Sequence, residues 1–396
     1  MPDVTFIDPS FTYQNPSTNS LICLVEDLLQ NGAEVDVWSN DLEPSLRGRV
    51  NHVKLPLFWA PWGVKPFTDF LVIHAVAILR KLQRKPRSKN VIVTGFLYLP
   101  ADFATVHFSH FDWFRHLRRA ATPLTSNVLF EFAKSLPGYF TEVLFFYNPW
   151  RTHLLAVSDA VAGDIKSWAA PWKTVTVIPN MVLADRVDPL TRIAKRSSKR
   201  LELSISENET VLAFCSAGHF FRKGLPEAVA TVMILRSEGR AVRLLVIGGQ
   251  ERTLQRWRKI LENSHGEVSD ALIFTGMVDH PADYLLSADA FFFPSRCEAF
   301  SLVEIEAAAL GLPLFLTPHH GSEMILMEGV NGHFLPWNPP GMAKVLAEKI
   351  DAGLVPLDIP DTGRALSRED YHRAWLQLLK FPPLAGNGHS GLTEIL

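Results

Sequence analysis

The chain has 396 residues, 47% hydrophobic and 20% charged, with a formal net charge of −2. That length exceeds what one hydrophobic core supports, so two domains are expected, and the composition excludes a disordered chain. The near-neutral balance excludes a globally basic nucleic-acid binder. Cys23, Cys215 and Cys297 stand far apart with no C-x-x-C pair, which excludes a disulfide scaffold or zinc ribbon and fits a reducing compartment.

In chain order, MPDVTFIDPS lacks the charged, apolar and small-residue regions of a secretory signal. Strand-like runs at 4–10 and 33–39 flank a helical stretch at 21–30, which Asn31-Gly32 is suited to stop. The most apolar stretch, 70–79, is far shorter than the roughly 20 residues a bilayer span needs. Further strand-like runs follow at 91–95, 104–109, 153–158 and 174–180. Strand–helix alternation predicts a Rossmann-like domain over 1–185. Residues 186–207 are polar with a basic cluster and suit a linker.

The second half repeats the pattern more clearly, with runs at 211–218, 242–249, 271–276, 290–295 and 313–318 and helical spacing at 228–235 and 302–310. A second Rossmann-like domain is predicted over 208–355. A helical segment at 356–380 is expected to return to the first domain, and 381–396 to form a loose tail. The expectation is thus an α/β cytoplasmic protein whose two doubly wound domains face across a cleft, where parallel sheets bind ligands at their carboxyl edges.

The most informative stretch is PSRCEAFSLVEIEAAALGLP, 294–313. Glu298 falls in the turn after a buried strand, and Glu306 lies eight residues on in the next helix. Ser301 and Glu304 read as a capping box, which leaves Glu306 beside small alanines, a place for a ligand-facing carboxylate. Amides near Phe300, Ser301 and Leu302 would offer an anion site. In AGHFFRKGLPEAV, a strand ends at Gly218, and Arg222-Lys223-Gly224 precedes a helix; an Arg fork and a Lys point charge together suit a diphosphate.

These residues resemble the retaining glycosyltransferases of family 4, on the GT-B fold. The E-x7-E signature is matched by Glu298 and Glu306, the R/K-Gly turn by Arg222, Lys223 and Gly224, and 208–340 by the family's wider pattern. The compact HFFRKG turn looks most like the lipopolysaccharide-core glucosyltransferases. The resemblance implies transfer from a nucleotide-diphosphate sugar to a glycan or lipid-linked acceptor. Glu306 would bind ribose hydroxyls and Glu298 would lie by the transferred sugar. Arg222, Lys223, Gly218 and the amides of Phe300, Ser301 and Leu302 would hold the diphosphate side, with Val278 lining the base pocket. His107 would face the donor sugar, and Asn180 matches the family's IPNG segment, with Met181 replacing its glycine. The first-strand loop, FTYQNPSTNS, has no glycine; Ser17, Thr18, Asn19 and Ser20 could donate to a ligand instead.

No carboxylate is placed as a covalent nucleophile, so front-face displacement is expected. The chain has no D-x-D motif, so no metal or other cofactor is expected. His107 and His110 have H-x-x-H spacing, and His319-His320 are adjacent, without partner ligands. His110, His319 and His320 are taken as surface or loop histidines. Residues 76–120 hold nine Lys or Arg against Asp102 and Asp112, next to the aromatic-rich 57–71. That pattern fits docking of 57–89 and 115–119 on an anionic membrane surface, at the inner face. It fits equally a solvated helix end with Trp59, Trp62 and Phe67 in the core. A nucleotide-sugar-binding homologue without turnover, and a phosphorylase or epimerase, are the competing readings.

Overall fold

The computed structural model describes residues 3–57, 65–82, 88, 90–95, 100–120, 126–183, 188–268, 270–354, 357 and 361–381. The chain divides into two compact units, residues 1–181 with 366–396, and residues 182–365.

The first unit is built on a seven-stranded parallel sheet. Its strands are β1 (Val4–Ile7), β3 (Val35–Ser39), β5 (Asn51–Lys54), β6 (Asn90–Thr94), β7 (Phe103–Val106), β8 (His153–Ala156) and β9 (Thr174–Val177), in the order β5-β3-β1-β6-β7-β8-β9. Two short strands, β2 (Ser10–Phe11) and β4 (Asp41–Leu42), pair beside it. All four residues of β1 are buried, as expected of a strand covered on both faces by crossover helices.

The glycine-free loop after β1 closes on itself. Asp8 accepts from the Ser10 amide (2.7 Å) and from Asn15 Nδ2 (3.1 Å), and Thr94 Oγ1 also donates to it. Ser17 Oγ donates to Asn15 Oδ1 (2.7 Å) and Thr18 Oγ1 to the Thr12 carbonyl (2.9 Å). The expectation that Ser17 and Thr18 would serve a ligand is therefore corrected: without glycine, side-chain bonds hold the turn.

The second unit carries a six-stranded parallel sheet of β10 (Thr210–Cys215), β11 (Val242–Ile247), β12 (Leu272–Gly276), β13 (Ala290–Phe293), β14 (Leu314–Leu316) and β15 (Gly332–Phe334). The order is β12-β11-β10-β13-β14-β15. The chain steps outward from β10 to β12, then returns to lay β13 against the other side of β10. That reversal leaves a crevice outside the carboxyl ends of β10 and β13, the usual ligand position in open α/β sheets. Both units are Rossmann-like, in the manner of the GT-B fold.

Residues 186–207 are not simply a linker. A helix spans Pro189–Glu202, capped by Asp188, and belongs to the second unit. Its Arg200 is 1% exposed and donates to the carbonyls of Ser206 (2.6 Å), Glu209 (2.7 Å) and Ser287 (3.1 Å). Arg196 donates to the Ala288 carbonyl (2.7 Å) and pairs with Asp289 (2.6 Å). The basic residues that looked solvated are thus bound to backbone carbonyls, which need such donors when buried.

A helix at Arg368–Leu379 belongs to the first unit, where Arg368 pairs with Asp27 at 2.7 Å and His372 also contacts Asp27. Residues 58–64, 83–87 and 89, with Arg84, Lys85, Arg87 and Lys89 of the expected membrane patch and with Trp59 and Trp62, lie outside the described residues, as does 382–396. Among the described residues, no helix is long and apolar enough to cross a membrane. The helix Lys65–Leu82 does expose Leu71, Ile78 and Leu79, and the helix Ser126–Phe146 exposes Phe140 and Leu144.

Candidate functional site

The turns after β10 and β13 are stitched together at the crevice of the second unit. Gly224 closes the first turn at φ 81°, a left-handed conformation that favours glycine, and a Cβ there would strike the Pro294 carbonyl. The Arg296 amide donates to the Arg222 carbonyl (2.8 Å), and the Arg296 side chain pairs with Glu227. This close approach of backbones sets Lys223 beside Glu298.

Lys223 Nζ lies 2.6 Å from Glu298 Oε1, and Ser295 Oγ donates to the same oxygen at 2.6 Å. Lys223 also lies 5.4 Å from the centre of the Phe293 ring. Burial alone would raise the Glu298 carboxyl. The positive charges of Lys223, Arg222 and His319 outweigh it and hold the group at about 2, so Glu298 is a carboxylate at neutral pH.

The helix Leu302–Ala309 begins at the same crevice. Ser301 holds the N-cap position in extended backbone, yet its side chain makes no cap bond and its Oγ is buried without a partner. Glu304, which was to complete a capping box, instead turns inward against His319, with Nε2 and Oε1 3.0 Å apart. The expected box is absent, since the buried imidazole offers Glu304 a charge partner that the neutral cap amide cannot. The first-turn amides therefore remain without a side-chain cap, which keeps the helix end available to an anion. Phe300 is buried and Leu302 half-buried.

Glu306 lies further along this helix, half-buried, with no hydrogen-bond or ion-pair partner among the described residues. Desolvation pushes its carboxyl up to about 7. Its charge, with that of Lys223, is felt by the Cys215 thiol at the end of β10, so Glu306 and Lys223 border the same strand end. Gly218 follows β10 with open space where a Cβ would stand, and Val278 is half-buried in the turn after β12.

The structure thus gathers Glu298, Arg222, Lys223, Ser301 and Glu306 around the carboxyl ends of β10 and β13. His107 belongs to the first unit, just beyond β7. Its Nε2 is buried without a partner, and burial lowers the ring to about 4, so it is neutral at physiological pH. Asn180 is buried, and its carbonyl accepts from the Leu366 amide (3.2 Å).

Two histidine expectations need correction. His319 is no surface residue: its side chain is fully buried against Glu304. His110 opens the helix His110–Ala120, where its ring packs edge-on against Phe108 (4.9 Å) and crowds Gly138. His319 does lie in a loop, as expected, but inside the protein, whereas His110 belongs to a helix. Sequence reasoning missed His319 because its partner Glu304 had a local explanation.

Residues 209–354 match the family model described as glycosyl transferases group 1. That match falls inside the second unit and covers well under half of the chain. Among curated proteins, the chain is 26% identical to a D-inositol 3-phosphate glycosyltransferase of Nocardia farcinica, over 53% of this chain and 58% of that one. It is 26% identical to an alpha-galactosylglucosyldiacylglycerol synthase of Streptococcus pneumoniae, over 60% and 66%. The matched regions span about three fifths to two thirds of these two relatives. Among solved structures, WaaG, a glycosyltransferase involved in lipopolysaccharide biosynthesis, superposes with a TM-score of 0.67 at 16% identity, over 94% of this chain and 95% of that one. Anabaena HepE in complex with UDP-glucose gives 0.62 at 15% identity, over 96% and 100%. These structural likenesses concern the fold.

Proposed function

We propose that the protein is a retaining glycosyltransferase that moves a sugar from a nucleoside-diphosphate donor to a glycan or lipid-linked acceptor. The observation that carries this reading is the Lys223–Glu298 ion pair at the crevice between β10 and β13, beside an uncapped helix end. In this reading Glu306 accepts from the ribose hydroxyls of the donor, and Val278 lines its base. Arg222, Lys223, the Ser301 hydroxyl and the amides of Phe300, Ser301 and Leu302 take the diphosphate, with Gly218 leaving room for it. Glu298 grips hydroxyls of the transferred sugar.

The chemistry follows from charge. As the bond from the anomeric carbon to the β-phosphate oxygen breaks, negative charge grows on the leaving phosphate. Arg222, Lys223 and the helix amides are preorganised to stabilise it. The acceptor oxygen bonds to the anomeric carbon on the face the phosphate leaves, and its proton passes to a phosphate oxygen. In this reading Glu298, its Oε1 held by Lys223 and Ser295, serves the sugar hydroxyls and is not the nucleophile. These cations are proposed to neutralise the diphosphate without a metal ion.

The likeness to a diacylglycerol-linked synthase supports a lipid-linked acceptor, and the exposed Leu71, Ile78 and Leu79 support peripheral attachment to an anionic membrane on its inner face. The test is incubation with a panel of nucleotide sugars and acceptors, with and without a chelator. Nucleoside diphosphate release and the product's anomeric configuration are measured. An inverted product, or donor binding with no release under any condition, would overturn the proposal.

A further inference from the structure

The buried pair of Glu304 and His319 plays no part in the roles above, yet it lies at the centre of the site's charges. Both side chains are fully excluded from solvent, and they come from different elements: Glu304 from the first turn of the helix Leu302–Ala309, His319 from the turn after β14. Burying two such groups is costly unless they hold each other.

The turn that carries His319 is itself braced against the donor side. Its amide donates to Ser322 Oγ (3.1 Å), and Ser322 Oγ donates back to the His319 carbonyl (2.7 Å). Gly321, at φ 82°, is pressed so closely on the Ala299 carbonyl and Phe300 that a Cβ would not fit. At the foot of the same turn, Thr317 Oγ1 donates to the Ser295 carbonyl (2.7 Å). The segment from Ser295 to Leu302 is therefore gripped from one side by the turn after β10 and from the other by the turn after β14.

We propose that His319 is a positioning residue: as an imidazolium it clamps the first helical turn, through Glu304, to the turn after β14, and so holds Glu298 and the helix amides in place for the donor diphosphate. This inference rests on the glycosyltransferase reading of the site. The proton inventory agrees with it. Nδ1 faces the His320 carbonyl at 3.1 Å and so carries a proton, while Nε2 faces Glu304. The ionisable groups around the ring are Glu304 on the helix, whose carboxyl burial raises against the pull of the imidazole, Glu298 on the turn after β13, and beyond it Lys223 and Arg222. Burial opposes the charged ring, but Glu304 and Glu298 outweigh it and push His319 up to about 9.

The experiment compares the wild type with Glu304→Gln and with His319→Gln/Glu304→Gln, each first shown to be folded by circular dichroism. UDP, GDP and ADP are titrated calorimetrically from pH 6.5 to 10, and the His319 ring is followed by proton NMR. Glutamine keeps the shape of the side chain but, being neutral, cannot hold the ring charged. The wild type should lose about tenfold in nucleotide affinity as the pH rises through about 9. Glu304→Gln should move that loss, and the NMR titration with it, down by more than one pH unit. The double variant should show no such loss and bind weakly throughout.

Affinity that is constant from pH 7 to 10, or an unmoved alkaline loss in Glu304→Gln, would overturn the clamp and leave the glycosyltransferase reading standing. So would a double variant with wild-type affinity, since that is what a purely structural pair predicts. Failure of all three nucleotides to bind the wild type at any pH would overturn the functional reading, and the inference with it.

Discussion

Replacing Lys223 by methionine tests the geometry of the site through stability alone. The substitution keeps an apolar stem of similar length but removes the cation 2.6 Å from Glu298, a carboxylate only 9% exposed. Glu298 is held at about 2 against an ordinary 4.5. At about 1.4 kcal/mol per pH unit, the net shift is worth about 3 kcal/mol after burial is set against the surrounding charges, of which Lys223 is the largest favourable part. Breaking a buried pair by removing one partner costs about 3–5 kcal/mol in general, so about 3 kcal/mol is the expected loss at pH 7. For a unit of this size, that corresponds to a fall in Tm of about 6–12 °C.

The sign with pH follows from the depressed pKa. The stabilisation is complete above pH 4.5 and is lost as the pH falls through about 2. Wild type and Lys223→Met should therefore differ most near neutrality and converge toward pH 2. Adding Glu298→Gln to Lys223→Met removes the stranded charge and should restore most of the loss. Scanning calorimetry measures the change, and hydrogen exchange at β10 and β13 amides assigns it to the second unit. A Tm difference below about 2 °C at pH 7, parallel curves down to pH 2.5, or no recovery in the double variant would refute the pairing.

Glu306→Gln should act in the opposite direction on stability. Its carboxyl is raised to about 7 with no partner, so above that pH the folded unit carries an uncompensated charge, and glutamine should raise Tm by a few degrees at pH 8. The same variant should lose nucleotide affinity, and wild-type affinity should rise as the pH climbs through about 7, because ribose hydroxyls donate to the carboxylate form; calorimetry reads both. Gly224→Ala should lower stability by more than about 2 kcal/mol in a urea titration, since a left-handed position and a clash with the Pro294 carbonyl coincide. Arg200→Met should cost about 3 kcal/mol or more in the same assay, because it removes a buried guanidinium that donates to the carbonyls of Ser206, Glu209 and Ser287 and lies beside Asp289. Leu71→Ser/Ile78→Ser/Leu79→Ser should reduce co-sedimentation with anionic vesicles several-fold without lowering Tm, as these side chains are 55–64% exposed.

The fold was legible because the central strands of both sheets are buried on both faces, and so are written in largely apolar runs such as VTFI, VRLLVI and AFFF. Among the edge strands, β9 and β12 were read but β5 and β15 escaped. In β5, NHVK, no residue is fully buried, and no apolar run marks it. In β15 only three residues, GHF, complete the ladder, and Gly332 is there because the Leu314 backbone presses on it. The helix Pro189–Glu202 escaped for a different reason. Its buried face includes an arginine satisfied by carbonyls of a distant loop, and no local pattern distinguishes such a side chain from a solvated one.

The same distinction explains the site. Glu298, Arg222, Lys223 and Glu306 could be picked out because each lies in a short segment next to a strand end, and strand ends of one parallel sheet open on one edge. What spacing does not contain is which charge meets which. Lys223 and Glu298 are 75 residues apart, joined by the crossing of two turns at Gly224 and Pro294. Glu304 had a satisfactory local partner in Ser301, and the capping-box pattern concealed the imidazole waiting behind it. In a buried network the partner that wins is the one of opposite charge in low dielectric, where one ion pair outweighs a cap bond that water can replace. A carboxylate in a helix's first turn should therefore be read as a cap only when no cation can reach it from the neighbouring strand end. In this protein, His319 does.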